Sequence, residues 1–329
     1  MRRFQKILHE LKDVVLSHEP GDELERPASM PTIEIEGRKV AYVTGGDNMD
    51  APPVVFLHGF GGFFMDWPRV MMPVARHTRV FAIDLPGWGF SDFNENTASI
   101  EDDVRVVNQF VKQLELNNVI LCGISYGAGV AWAAAAMGLP RVRRAILLNP
   151  MPPHPIRYMR SPLYQGIFLL NANKRVAQVG HSLLQKQQYK QICRENLLND
   201  RLLDTFYLNL AYMVTKQPKT PLILHAHAKG ARRLNWNDWE RRLSGIRMPV
   251  TILQGQEDRI FSMKSAQLLH RLIPTSQLIE VAECGHAMVF DQHRKVSDTI
   301  IRCLTQLKSG KEAHELSEED VRIEGRDSA

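Results

Sequence analysis

Two hydrophobic rhythms alternate along this chain. Short, largely apolar runs occur at 53–57, 79–83, 119–123, 144–148, 249–253 and 277–281. Runs without polar alternation suit strands covered on both faces, and so a mostly parallel sheet. Between them, apolar residues recur at helical spacing over 65–76, 100–114, 126–137, 263–272 and 296–307. Further upstream, residues 32–43 alternate around Glu36-Gly37-Arg38, the pattern of a β-hairpin. Strand and helix units in alternation, joined by right-handed crossovers, predict an α/β protein with a doubly wound, mostly parallel sheet.

The alternation stops between Asn149 and Met248. Helical patterns continue there, clearest over 197–214 and again over 236–243, but no convincing strand occurs. The stretch is too long for a structureless loop, so a helical cap over the carboxyl ends of the strands is expected. This divides the chain into an amphipathic extension (1–30), a core (31–150 and 246–307), a cap (151–245) and an acidic tail (308–329). The tail is polar and free of aromatics, and reads as disordered. In the extension, Phe4, Ile7, Leu8, Leu11, Val14 and Val15 form one helical face. Such a face either docks on the protein's own surface or rests on anionic lipid.

Composition narrows the classes. The 329 residues suffice for a large core with no disulfide or metal staple. Cys122, Cys193, Cys284 and Cys303 have no paired spacing, which suits buried thiols in a reducing, cytoplasmic setting. No apolar run reaches the roughly 18 residues needed to span a bilayer, and no signal peptide is evident. The formal charge of +5 is concentrated in the cap, where 151–248 holds 16 Lys and Arg against 5 Asp and Glu. This keeps peripheral contact with an anionic membrane open beside a merely solvated surface. Nucleic acid is not expected, because the basic residues are not interleaved with aromatics. No His, Cys and Asp cluster has ligand spacing, so no metal or cofactor is expected; His225 and His227 lie in a polar stretch and read as exposed.

The chemistry centres on Gly123-Ile124-Ser125-Tyr126-Gly127, which joins a predicted strand to a predicted helix. A serine on so sharp a turn is strained and needs small neighbours two positions away. Its base should follow the last strand, where Gly285-His286 stands; an acid after the strand at 250–253 would orient that histidine. Asp258 is preferred over Glu257 for this, and 145–148 ends in Asn149 with no acid. Oxyanion donors should be the backbone N–H groups of Tyr126 and Phe60, with His58 bracing the Phe60 loop from behind. Phe60, Phe63, Phe64, Trp67, Met151, Met288 and Val289 flank the expected site and suggest an apolar substrate pocket.

Taken in order, His58-Gly59-Phe60-Gly61, 84–91, Gly123-Ile124-Ser125-Tyr126-Gly127, 255–258 and Gly285-His286 make the chain resemble an α/β-hydrolase-fold serine hydrolase. The resemblance implies a Ser125–His286–Asp258 triad, an acyl-enzyme and a small-molecule ester substrate, with Asp84 in a structural turn. A monoacylglycerol-lipase-like branch fits the apolar flanks. Relatives that open epoxides or haloalkanes use an aspartate where this chain has Ser125. Carbon–carbon bond hydrolases of ring-cleavage products share the triad, and the cap arginines keep them open. A ligand-binding receptor of the same fold is the alternative outside enzymes.

Overall fold

The apolar runs form a single eight-stranded sheet in the computed structural model, which describes residues 2–94, 98–199 and 202–308. The strands are β1 (Thr32–Ile35), β2 (Arg38–Gly45), β3 (Val54–Leu57), β4 (Val80–Ile83), β5 (Val119–Ile124), β6 (Val142–Leu148), β7 (Val250–Gly255) and β8 (Ser276–Val281). Their spatial order is β1-β2-β4-β3-β5-β6-β7-β8. All pairings from β4 to β8 are parallel, whereas β2 meets both β1 and β4 antiparallel. Every residue of β3, β4, β5 and β7 is buried, which is why their sequences lack polar alternation. Glu36 and Gly37, with φ of 52° and 73°, make the two-residue turn between β1 and β2. Two left-handed residues give the turn the twist that a hairpin needs.

Helices pack on both faces of the sheet and bury two apolar clusters, one on each side. Helix Ile100–Gln113 begins at Ser99, whose hydroxyl accepts from the Asp102 N–H at 3.1 Å. The pattern at 65–76 resolves into a single 3-10 turn, Phe64–Asp66, and a helix over Pro68–Val74. Pro68 explains the break: it lacks a backbone N–H and so favours the first turn of a new helix.

The helix Arg2–Ser17 turns its apolar face inward. Phe4, Ile7 and Leu11 are buried, and the helix lies against β2 and the cap helix Thr205–Thr215. Of the two readings of the extension, packing on the protein itself is the one observed.

Seven helices lie between β6 and β7 among the described residues. The helical pattern at 197–214 is shorter than expected. Its helix is Thr205–Thr215, opened by Asp204, whose carboxylate accepts from the Tyr207 N–H at 2.7 Å. The leucines before it, Leu197 and Leu203, are buried in the core from non-helical backbone. Helix Trp236–Leu243 falls where the pattern placed it. The acidic tail lies outside the described residues, save Lys308, which ends the last helix, His293–Lys308. No helix among the described residues is long and apolar enough to cross a membrane.

Candidate active site

β5 runs into helix Tyr126–Ala136 through one residue, Ser125, with φ 54° and ψ −114°. Backbone bonds hold it there: its N–H donates to Leu148 O at 2.9 Å, and its carbonyl accepts from Gly129 and Met151 N–H at 3.0 Å each. A non-glycine residue held this way costs on the order of 1–3 kcal/mol. The flanking glycines are sterically required. A Cβ on Gly123 would sit 2.2 Å from Gly127 O, and one on Gly127 would sit 2.1 Å from Leu57 O. At those two positions the turn packs too tightly for any side chain. Ser125 is half-buried and lines a cavity under the cap.

His286 lines the same cavity, from the loop after β8. Its Nδ1 lies 2.9 Å from Asp258 Oδ2. Asp258, just past β7, also accepts from Gln254 Nε2 at 3.1 Å and from the Ile260 and Phe261 N–H groups at 2.7 and 3.0 Å. A carboxylate held by four donors only accepts, so Nδ1 carries the imidazole proton and Nε2 keeps its lone pair. Glu257, the competing acid, is exposed and accepts from the Cys284 N–H at 2.9 Å. Ser125 makes no side-chain hydrogen bond to another described residue.

Asn149, at the end of β6, ties this corner together. Its Nδ2 donates to Gly285 O and His286 O at 2.8 Å each, and its Oδ1 accepts from Gly255 N–H at 2.7 Å. One buried amide therefore fixes the histidine loop to the strand that precedes Asp258. The sequence showed Asn149 only as the lack of an acid. Its real use depends on three backbone groups from distant segments.

The loop 58–62 passes beneath Ser125, and a Cβ on Gly59 would reach 3.4 Å from Ser125 Cβ. His58 is fully buried, and its Nε2 accepts from Leu85 N–H at 2.9 Å. Its Nδ1–H therefore donates to Gly59 O at 2.8 Å. Burial pushes its pKa down to about 4, so it braces the loop as a neutral ring. Asp84 accepts from the Phe64 and Phe90 N–H groups at 2.7 and 2.9 Å, stapling two loops together. The N–H groups of Phe60 and Tyr126 donate to no other described backbone group, and both residues line the cavity.

The cavity encloses about 340 Å³. Phe60, Met151 and Val289 line it, but Phe63, Phe64, Trp67 and Met288 do not. Those four are buried in the core beneath: Phe63 packs on Phe64 and Tyr207, and Trp67 lies 4.7 Å from Phe56. Phe64 and Trp67 reach the core through the 3-10 turn at Phe64–Asp66, Phe63 is covered by Tyr207 of the cap, and Met288 opens a separate short helix, Met288–Asp291. The cap adds Ile167, Phe168, Leu184, Ile192 and Leu234 to the apolar wall, and the core adds Ile100, Ile124, Ile260, Phe261 and Phe290.

Polar groups not anticipated from the sequence also reach the cavity. The Tyr126 hydroxyl donates to Asp103 Oδ2 at 2.5 Å and lies 3.3 Å from His227 Nδ1. His227 is buried, stacked on Trp88 at 5.7 Å, contrary to the exposed position expected of it. Burial lowers its pKa to about 4, and burial raises that of Asp103 to about 8. Asp66 accepts from the Tyr207 hydroxyl at 2.8 Å and is likewise raised by burial, to about 7. A signal for Asp103 did exist. It lies three residues after Ile100 and one before Val104, on the apolar face of its helix.

This architecture has known counterparts. A 2-hydroxy-6-oxo-2,4-heptadienoate hydrolase of Pseudomonas putida is 27% identical over 252 residues, 74% of this chain and 85% of that protein. The monoacylglycerol lipase ABHD6 of Mus musculus is 22% identical over 290 residues, 83% of this chain and 81% of that protein. Among solved structures, the epoxide hydrolase CorEH superposes with a TM-score of 0.73 at 18% identity, covering 84% of this chain and 99% of that one. The family model for the alpha/beta hydrolase fold matches residues 52–292, a span that opens just before β3 and closes beyond His286. By that match the chain belongs to the α/β hydrolase fold family.

Proposed function

We propose that this hydrolase is a serine esterase that cleaves carboxylic esters of apolar acyl groups through an acyl-enzyme. The observation that carries the reading is the shared cavity: strained Ser125 and His286, the latter paired with Asp258 behind it, line one largely apolar chamber. In the reaction, Ser125 Oγ attacks the ester carbonyl carbon as His286 Nε2 takes the hydroxyl proton. Asp258 holds the imidazolium through Nδ1–H. The tetrahedral oxyanion sits against the N–H groups of Tyr126 and Phe60, each such donor being worth about 3 kcal/mol. His286 then returns the proton to the departing alcohol. Water, activated by the same imidazole, releases the acid. The apo Ser125 lacks its contact to the base, and contacts of this kind tighten when substrate arrives.

The chamber wall favours an ester over a ring-cleavage product bearing two carboxylates. No Lys or Arg is among the described residues that line it, although the cap is rich in both. A dianionic substrate would enter such a chamber without a countercharge. Its size suits a medium-length acyl chain, since ligand pockets of roughly 300–1,000 Å³ hold small organic molecules. The test is a rate profile over p-nitrophenyl esters of increasing chain length beside a 2-hydroxy-6-oxo-dienoate. Efficient ester turnover, lost in Ser125→Ala, is expected. Preference for the dienoate would overturn the substrate class.

A further inference from the structure

The outer side of the cap is apolar where water should meet it. Leu170, Val179 and Leu183 are 61, 58 and 68% exposed, and Leu163, Leu169 and Val176 are exposed with them. All six belong to two consecutive helices, Pro162–Leu170 and Lys174–Leu183. On the second, Val176, Val179 and Leu183 are spaced by three and four residues and so share a face. The opposite face holds buried Ala177 and His181, whose Nε2 lies 2.8 Å from Thr215 O. Both helices lie on helix Thr220–Arg233, so the exposed side chains point away from the body of the cap.

Charge along the same segment is one-sided. Arg157, Arg160, Lys174, Arg175, Lys186, Lys190 and Arg194 fall between Met151 and Arg194, with no Asp or Glu among them. An apolar patch in a stretch of chain whose charged residues, from Arg157 to Arg194, are all cations matches a surface that is anionic outside and apolar within. A second copy of this chain fits poorly, because a two-fold contact would set this cationic segment against itself. The first helix also links the patch to the chamber. Tyr164, Ile167 and Phe168 line the cavity, while Leu163, Leu169 and Leu170 are turned outward.

We propose that this cap face docks on an anionic lipid bilayer, leaving the single helix Pro162–Leu170 between the lipid and the chamber. The proposal does not depend on the reaction assigned above. Its test reads binding alone, with full-length Ser125→Ala sedimented with vesicles of phosphatidylcholine or of phosphatidylcholine mixed with phosphatidylglycerol. Mixed vesicles should bind the protein at least about tenfold more tightly than neutral ones, with the difference shrinking as salt rises. Val179→Ser/Leu183→Ser and Arg160→Glu/Arg175→Glu should each weaken that binding about tenfold, and Leu16→Ser on the N-terminal helix should not. Unchanged thermal midpoints would show that both doubles remain folded. Binding indifferent to both doubles, or absent from anionic vesicles, overturns the proposal. A concentration-dependent dimer broken by the same apolar substitutions overturns it too, and assigns the face to a second copy.

Discussion

At the sheet end of the cavity, Ser125, Asp258 and Asn149 are each held by two or more hydrogen bonds to backbone groups. Across it, helices Pro162–Leu170 and Lys186–Glu195 have no fully buried residue, although several of their side chains line the chamber. The two walls therefore obey different rules. Catalytic geometry needs atoms fixed to a fraction of an ångström, which short backbone bonds and close packing supply. An acyl chain needs only apolar area of the right shape, which loosely packed helices provide and can change freely. Chemistry should thus be intolerant of substitution on the sheet side, and substrate range should be tunable from the cap.

The harshest way to break this contrast is to remove the chemistry. Ser125→Ala and His286→Ala should each lower kcat about 10⁴-fold or more, and Asp258→Asn about 10⁴-fold, without unfolding the protein. Glu257→Gln should keep most of the rate. The reverse ranking of Asp258→Asn and Glu257→Gln in a p-nitrophenyl ester assay would move the acid to Glu257.

Next in size is a pair of glycine substitutions. Gly127→Ala drives a Cβ into Leu57 O and should cost about 3 kcal/mol or more in a urea melt. Gly166→Ala, in a cap helix with nothing within 4 Å of its Cβ, should instead stabilise by up to about 1 kcal/mol. Equal effects at the two sites would erase the contrast.

Asn149→Ala tests the sheet wall more finely. Freed carbonyls at Gly285 and His286 should let the histidine loop shift, lowering kcat about 10²-fold with KM nearly constant. A change confined to KM would place Asn149 in substrate binding instead.

The smallest effect is one of pH. His58 under the sheet-side loop and His227 in the cap both have folded pKa values lowered to about 4 by burial, against 6.5 when unfolded. Below 6.5 the unfolded chain takes up protons that the folded one refuses. The stability these two rings contribute above that pH therefore fades as pH falls toward 4, by up to about 1.4 kcal/mol per pH unit for each ring, against the opposite slope of buried Asp66 and Asp103, whose pKa values are raised to about 7 and 8. His227→Phe should remove one of these two slopes in melts between pH 7 and 4.5. An unaltered slope would mean that His227 is not held neutral by its cavity.

The same contrast decides what the sequence could reveal. The Ser125 turn and the His286–Asp258 pair are legible because each residue follows a strand, beside a glycine or a turn, and such local demands leave local marks. The strands were legible because burial on both faces removes polar residues from them. Phe63, Phe64, Trp67 and Met288 misled, since an aromatic or Met side chain near a site looks the same whether it faces the chamber or the core. Tertiary packing decides that, as where Phe63 settles on Tyr207 and Trp67 on Phe56. His227 was misread for a related reason. Leu222, Ile223, Leu224, Ala226 and Ala228 make its helix largely apolar around it, and the ring is buried by Trp88, Phe60 and Tyr126 from other segments. The start of helix Thr205–Thr215 was missed although Asp204 is an ordinary N-cap, because the leucines before it continue the helical period.

The most direct measurement is intact-protein mass spectrometry after brief exposure to a fluorophosphonate, followed by peptide mapping. One adduct is expected, on Ser125, absent in Ser125→Ala and formed far more slowly in His286→Ala. An adduct on another residue, or labelling of Ser125 at the same rate without the histidine, would contradict the proposed triad.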